Sequence, residues 1–539
     1  MGITMDEPTR LLGGYLYWLN LPDHPPQDQP PLLGIVTGWA PKLLRIPLFR
    51  DHLIWRQQWK DHVASYILDR LPGETIDQLF FLARLGVIPF GIFTALLMWH
   101  WSRQLLSRTA ALLVVTTFVL LPEVRAHGAL ITSDMMTTFA YLLAAYRAWR
   151  YWLEPSLRQA AWLGLAAGFA VLAKLSLLIV PPLAACVVIA RMLLDRRARR
   201  TGPAALLLVT VLCWLVVTAA YKFDTRRFTW AELQDIERQR EYSPALVRLM
   251  APLTVIPTPR ELQLGVRLLG GYYRDGSWTY FFGRIYDHGH WAYYPACLAL
   301  KEPIGFQLLV VIGTVAIFRR WQRIGSISDA AFILVPALIY LGFAMQSPTQ
   351  LGIRLILPVV GCLVLVAGYG IDWLLQSKRG RLVVAGALAF TFISTARIFP
   401  HDMAYFNEWA GGPERGWRYL TDSNIDWGHL WPELKKYMVK HGIKQVRAFP
   451  FGYDKLHRYF QPGEVELEPS PWTPEKLDTK TYVPKPGIYA VSASLLSGQY
   501  YPPVFRTYLH YFRQREPDDR VGYGMFIYFV RDRAQADHL

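Results

Sequence analysis

Charge is what this sequence has least of. Asp, Glu, Lys and Arg make up 18% of its 539 residues, against about 25% in an ordinary soluble domain. Combined with apolar runs of roughly 20 residues, that scarcity excludes a soluble cytoplasmic protein and a disordered one. Acids are scarcer than bases, 41 against 57, which leaves a formal charge of +16. Cysteine is nearly absent: Cys186, Cys213, Cys297 and Cys362 are too few and too scattered for a disulfide framework. Most of them lie inside apolar runs, where a buried structural role is expected. There is no internal repeat, Walker loop, GxGxxG fingerprint or Cys/His finger. What the chain does have is apolar surface, with 53% hydrophobic residues and a mean hydropathy of +0.18.

The apolar runs give about ten candidate spans of roughly 15–24 residues. They fall near 79–101, 104–122, 130–150, 158–176, 178–194, 203–222, 304–319, 329–346, 353–375 and 382–399. Arginine orients them. Arg103 and Arg108, then Arg147, Arg150 and Arg158, then the run from Arg191 to Arg200, fall at every second connection. Arg319, Arg320 and Arg323, and later Lys378, Arg379 and Arg381, continue the alternation. That is the pattern of cytoplasmic loops under the positive-inside rule. Much of the surplus positive charge is therefore a topology signal, and nucleic acid is not needed to explain it.

The alternate connections then face outward. Three regions follow: a first outer loop over 1–78, a transmembrane domain over 79–399 with an outer loop at 223–303, and an extracytoplasmic α/β domain over 400–539. In the last, strand-like runs at 445–451, 487–494 and 522–530 alternate with helical ones at 428–441 and 503–513. The stretches 31–49 and 52–70 read as interfacial amphipathic helices. The N-terminus lands outside with no apolar segment before residue 79 to carry it there, so a further membrane helix upstream of the first residue is expected.

Several ionisable groups gather at the outer face. The first motif is Asp6-Glu7-Pro8-Thr9-Arg10, followed by Asp28-Gln29-Pro30-Pro31. An acid pair just outside a membrane suits a lipid-facing transferase: one carboxylate takes a proton from an acceptor hydroxyl, and a nearby Arg balances charge or engages phosphate. The alternative is a helix N-cap with Pro8 in the first turn. His127 and Asp134 open the third span, Lys174 ends the fourth, Lys301 precedes the seventh and Arg354 begins the ninth. Charges near the membrane are costly and are functional candidates by default, although single lysines at helix ends also snorkel to water. Cations and acids converging on one leaflet describe a site for an anionic lipid phosphate beside a catalytic carboxylate.

Two other clusters are ambiguous. Asp287-His288-Gly289-His290 has metal-ligand residue types at a spacing that matches no strong pattern, so packing is expected there. Asp422 and Asp426 in DSNIDWGH either ligate a cation or, as favoured, cap turns before the helix at 428–441.

Taken in order, DEPTR, QPPL, HGALITSD, LAKLSLLIVPP, LKEPIG, GIRLILP and PH…YFNEWAGGP…DSNIDWGH resemble the GT-C class of polyprenyl-phosphate-sugar-dependent glycosyltransferases. The nearest group is family 39, which includes protein O-mannosyltransferases and aminoarabinose-to-lipid-A transferases. The resemblance implies a multi-span α-helical membrane protein of GT-C architecture with a small α/β extracytoplasmic C-terminal domain. It implies Asp6 as catalytic base with Glu7 beside it, Lys174 and Arg354 as cations for the donor phosphate, and Arg10 as a basic residue found shortly after the acid pair; Lys301 joins the phosphate-binding candidates from its place at the outer face. Asp134 takes the place of the second outer acid, with His127 near it. Asp28 matches an acid before an [HK]PP element, but Gln29 replaces the usual His or Lys. A membrane helix normally precedes the acid pair in that family.

The expected function is an inverting transfer of a sugar from a polyprenyl-phosphate donor to a hydroxyl of a protein, lipid or glycan acceptor, at the outer face of the cell membrane. A divalent metal ion is left open as a cofactor. The rival readings are a transporter or flippase for a lipid-linked sugar, which should carry inverted repeats and midplane charges not seen here, and a noncatalytic scaffold.

Overall fold

The computed structural model describes residues 2–21, 29–56, 59–239, 242, 247–248, 250–324, 328–452, 454–477 and 479–531. All ten expected spans fold as helices, with shifted ends. The stretch expected at 79–101 is the helix pair Gly73–Leu85 and Ile88–Leu105. The stretch expected at 203–222 begins earlier, as Arg196–Ala220. Serine side chains set several starts: Ser107, Ser156 and Ser377 each accept a backbone N–H of the first turn.

Among the described residues, four helices are long and apolar enough to cross a membrane: Gly73–Leu105, Leu175–Leu194, Ala198–Ala220 and Ile353–Leu374. The pair Tyr293–Lys301 and Ile304–Arg320, bent by 115° at Glu302-Pro303, makes a fifth if counted as one span. Other apolar helices, such as Arg108–Leu120 and Leu157–Ala173, are shorter. Large apolar side chains stand exposed along these helices, including Phe93, Leu112, Leu207, Val311, Leu338 and Phe392. Water does not tolerate that much contiguous apolar surface, and lipid does. The chain is a multi-pass membrane protein.

Helix Leu357–Leu374 is the axis of the bundle and is buried along nearly its whole length. It packs on helices Arg108–Leu120, Asp134–Leu153, Ile304–Ile324 and Ser328–Met345. The crossing with Ile304–Ile324 is close because both helices put glycine there. A Cβ on Gly313 would lie 2.0 Å from the Val366 carbonyl oxygen, and one on Gly370 would lie 2.6 Å from the Gly313 nitrogen. Small residues at a contact are how membrane helices approach this closely.

The C-terminal part holds a five-stranded sheet in the order Val465–Leu467, Val446–Phe449, Gly487–Ser492, Met525–Val530, Asp519–Val521. The first three strands are parallel and the last two join antiparallel. Alternation along the strands gives two faces. Val446, Ala448, Ala490 and Ile527 pack under helix Trp431–His441 through Leu434 and Met438. Phe449, Tyr489 and Tyr528 turn the other way, toward an aromatic cluster around Phe512. The helix expected at 503–513 is instead two short turns, Pro503–Phe505 and His510–Arg513. The interfacial stretch expected at 52–70 is likewise broken, into Leu53–Arg56 and Lys60–Leu68.

Candidate active site

Asp6 precedes helix Glu7–Leu19 at the N-cap position, with Pro8 in the first turn. Its carboxylate makes no capping hydrogen bond. It turns instead to Arg354, whose Nη2 lies 3.5 Å from Asp6 Oδ2, while Arg10 stands 3.9 Å away on the same helix. The backbone around Asp6 is pinned from the far end of the chain: Met5 N–H donates to the Trp427 carbonyl at 2.9 Å, and Ile3 N–H to Asp454 Oδ2 at 3.0 Å.

Arg354 sits in the short helical turn Ile353–Ile356 that leads into the axial helix. Its Nη1 lies 3.4 Å from Asp134 Oδ2, and Lys174 Nζ donates to Asp134 Oδ1 at 2.7 Å. Asp134 is buried, and so is Arg354. Two acids and two cations thus alternate in one chain of contacts, Asp6–Arg354–Asp134–Lys174, drawn from four separate segments. Uncompensated charge at this depth would be costly, and the alternation balances it.

Asp6 and Arg354 form part of the wall of a cavity of about 520 Å³. The same wall includes Asp275, Trp278 and Asp287 from the outer loop and Asp422, Trp427 and Tyr500 from the C-terminal part. Carboxylates, an indole and a phenol are the side chains that grip sugar hydroxyls and sugar ring faces. Burial pushes the Asp422 carboxyl up to about 6 despite the Arg354 guanidinium nearby. Its backbone lies in the left-handed region, at φ 61°, a conformation that is uncommon outside glycine, asparagine and aspartate and tends to persist at functional sites. Asp426 accepts from Gly428 N–H and Ser492 Oγ, the expected turn role, and burial raises it to about 6 as well.

A second cavity, about 650 Å³ and apolar, lies between helices Asp134–Leu153, Val180–Leu194 and Ser328–Met345. Tyr141, Ala144, Ala148, Val335, Pro336 and Ile339 are among the residues that line it. Tyr141 is two turns along the helix that Asp134 begins, about 10 Å away at the standard helical rise.

Three expected site residues stand elsewhere. Glu7 is enclosed and does not line the large cavity. Arg84 reaches it at 2.7 Å, and it accepts from Thr4 N–H at 2.9 Å and Ile131 N–H at 3.0 Å. Burial raises its pKa, but the Arg84 charge and these hydrogen bonds outweigh that and hold it below the usual carboxylate range. It is a clamp joining the N-terminal segment to helix Gly73–Leu85 and the HGALITSD loop, and no face of it is left for proton transfer. Lys301, expected to hold donor phosphate, is fully buried at the 115° bend. It contacts Glu123 at 2.9 Å, donates to the Met403 and Asn424 carbonyls, and stands over Phe406. A lysine spent on carbonyls and a buried acid is a strut. His127 is buried beside Glu123 at 3.3 Å and packs edge-on against Trp427. Asp28, with the neighbouring Asp23-His24-Pro25-Pro26, lies outside the described residues.

For Asp287, His288 and His290 the sequence favours packing over metal binding. His290 stacks on Phe281 and Asp287 pairs with Arg506 at 3.2 Å. Among the described residues no three His, Cys, Asp or Glu side chains gather as a metal-binding group. Ser423 and Trp427, both in contact with Arg354, were not singled out from sequence. The only signal was their position inside the DSNIDW motif.

Residues 71–221, which include Asp134 and Lys174, match the family described as dolichyl-phosphate-mannose-protein mannosyltransferase. No curated protein matches the chain in sequence. Among solved structures, it is similar to ArnT from Cupriavidus metallidurans bound to undecaprenyl phosphate, at 12% identity and a TM-score of 0.42, covering 98% of this chain and 94% of that one. It is also similar to the Archaeoglobus fulgidus oligosaccharyltransferase tethered to an acceptor peptide, at 13% identity and a TM-score of 0.40 over 73% of this chain. The match spans about half the length of that archaeal enzyme, 51%.

Proposed function

We propose that this protein transfers a sugar from a polyprenyl-phosphate donor to an acceptor hydroxyl, with inversion, on the extracytoplasmic side of the membrane. The observation that carries the reading is the Asp6–Arg354–Asp134–Lys174 chain of contacts, with a carboxylate-lined cavity at Asp6 and an apolar one two turns from Asp134. A polyprenyl-phosphate sugar needs those three environments in that order: a carboxylate-lined pocket for the sugar, cations for the phosphate and an apolar groove for the tail. The family match over residues 71–221 supports the same donor class.

Asp6 Oδ2 takes the proton of the acceptor hydroxyl as its oxygen attacks the anomeric carbon. The bond from that carbon to the phosphate oxygen breaks on the opposite side, and its electron pair stays on the phosphate. Arg354 and Lys174 stabilise the charge that builds there, and removing one such donor typically costs about 2.7–4 kcal/mol of barrier. Asp134 holds both cations in register. Arg10 also balances the charge of Asp6, and Asp422, Trp278 and Tyr500 contact the sugar. The acceptor is a protein, lipid or glycan hydroxyl.

The sidedness rests on the span Ile353–Leu374, which has Arg354 near its start and is followed by Lys378, Arg379 and Arg381. Its 22 residues span about 30 Å, the thickness of the hydrocarbon core, which supports assigning the site and the arginine-rich loops to opposite faces. The three-region division at 78/79 and 399/400 belongs to the same reading.

The test is transfer from a lipid-linked sugar in membranes containing the wild-type chain or Asp6→Asn. The reading expects wild-type turnover and a loss of at least about a hundredfold in the variant. Full activity of Asp6→Asn removes Asp6 as the base.

A further inference from the structure

Arg354 presents its guanidinium to the cavity, yet the carboxylates on either side do not fix its orientation. Its contacts to Asp6 and Asp134, at 3.5 and 3.4 Å, are long for charge-assisted hydrogen bonds, which run at about 2.7–2.9 Å. The shorter contact is from Nε to Ser423 Oγ, at 3.0 Å. The Ser423 hydroxyl proton is already shared between the Leu351 carbonyl and the Asp422 carboxylate. A hydroxyl has one donor and two acceptor lone pairs, so what remains of Ser423 Oγ is an acceptor aimed at Arg354. The guanidinium lies over the Trp427 ring, with Cζ 3.9 Å from the ring centroid, well inside the ~6 Å reach of a cation–π contact.

The segments that carry these groups interlock. Asn424 Oδ1 accepts from Ile353 N–H at 3.1 Å, and its amide donates to Tyr293 Oη at 3.0 Å. Gly352 has φ 127°, and a Cβ there would lie 2.4 Å from Ser423 Oγ, so this approach requires glycine. Lys301 braces the Asn424 carbonyl from below. Trp427 in turn holds the Met5 amide one residue before Asp6. A single turn after the last membrane helix therefore fixes both the cation and the base.

We infer that Ser423 and Trp427 are positioning residues for the Arg354 guanidinium, so that capture of the donor phosphate depends on the segment 421–427 of the C-terminal part. This rests on reading Arg354 as a phosphate-holding cation. The terminal nitrogens keep only long contacts to Asp6 and Asp134, while Nε is held by Ser423 and Cζ lies over Trp427. Without the indole shelf and the serine acceptor, the guanidinium collapses onto Asp6 or Asp134 and no longer meets the phosphate in a fixed plane.

The experiment measures binding of a sugar-free polyprenyl phosphate to the purified full chain in lipid nanodiscs, with thermal midpoints recorded alongside. Ser423→Ala and Trp427→Leu are each expected to weaken binding about tenfold, Ser423→Ala with a thermal midpoint near the wild-type one and Trp427→Leu with a lower one, because its indole is buried. Trp427→Phe keeps an aromatic face and is expected to recover affinity to within about threefold of wild type. Wild-type affinity in both Ser423→Ala and Trp427→Leu overturns the inference. So does equal weakening in Trp427→Leu and Trp427→Phe, which marks a packing role only. If Trp427→Leu does not fold, Ser423→Ala decides alone. If the wild-type chain takes up no polyprenyl phosphate, the reading of Arg354 fails instead, and the variants are not needed to see it.

Discussion

Lys174 Nζ donates to Asp134 Oδ1 at 2.7 Å, joining the end of one membrane helix to the start of another. Asp134 is almost wholly enclosed, with 1% of its side chain exposed, and it also faces Arg354. Removing one partner of such a pair leaves an uncompensated charge, at a cost of about 3–5 kcal/mol. Asp134→Asn is therefore expected to lower the thermal midpoint and abolish transfer together. Lys174→Met, which removes charge but keeps length, should lose transfer with a smaller loss of stability. Thermal unfolding followed in detergent, paired with a transfer assay, distinguishes the two outcomes.

Glu7 and Asp6 are neighbours with opposite fates. Glu7 is clamped by Arg84 and two backbone amides, whereas Asp6 looks into the cavity. Glu7→Gln should cost about 3–5 kcal/mol of stability by removing the buried charge that faces Arg84. Activity per folded molecule should fall by less than about tenfold, since no transition-state contact is removed. Specific activity normalised to the folded fraction is the measurement, and a collapse like that of Asp6→Asn would assign Glu7 to the chemistry.

Asp422 and Asp426 give the C-terminal part a definite pH signature. Both titrate at about 6 in the fold, raised by burial from an ordinary value of 3.8. The folded state therefore binds their protons more tightly than the unfolded state. The stability this contributes is fully present below the ordinary value and is lost as pH rises through about 6. Glu7, held low, has the opposite sign: its contribution is present above its ordinary value and disappears as pH falls. Asp426→Asn should flatten the decline in thermal midpoint between pH 4.5 and pH 7.5, by roughly 1–3 kcal/mol in stability. An unchanged slope contradicts the burial argument.

The parts of the site legible in sequence were those whose residue type conflicts with its surroundings. Asp134, Lys174 and Arg354 stand where apolar runs begin or end, and a charge there needs a partner. Asp6 was ambiguous because the same residue in the same place caps a helix. Only the direction of its carboxylate, toward Arg354 and away from the helix amides, separates the two roles. Lys301 looked equivalent to Lys174 because both are lysines at helix ends. The bend at Pro303 buries one against carbonyls, and periodicity carries no information about that bend. Ser423 and Trp427 were illegible as site residues because their role depends on contacts about 70 positions away in sequence. The helices were readable for the usual reason: long apolar runs have few alternatives. Their ends moved where serine caps and Pro303 override hydropathy.

The central claim is that the Arg354–Lys174 pair of cations receives a lipid phosphate between a carboxylate-lined and an apolar cavity. The most direct measurement is an experimental structure of the full chain in lipid nanodiscs with an added polyprenyl phosphate. The account predicts phosphate density within hydrogen-bond reach of Arg354 and Lys174, beside Asp6, with the prenyl chain running past Ala144, Val335 and Pro336. Phosphate density elsewhere, with Arg354 still locked between Asp6 and Asp134, would contradict it.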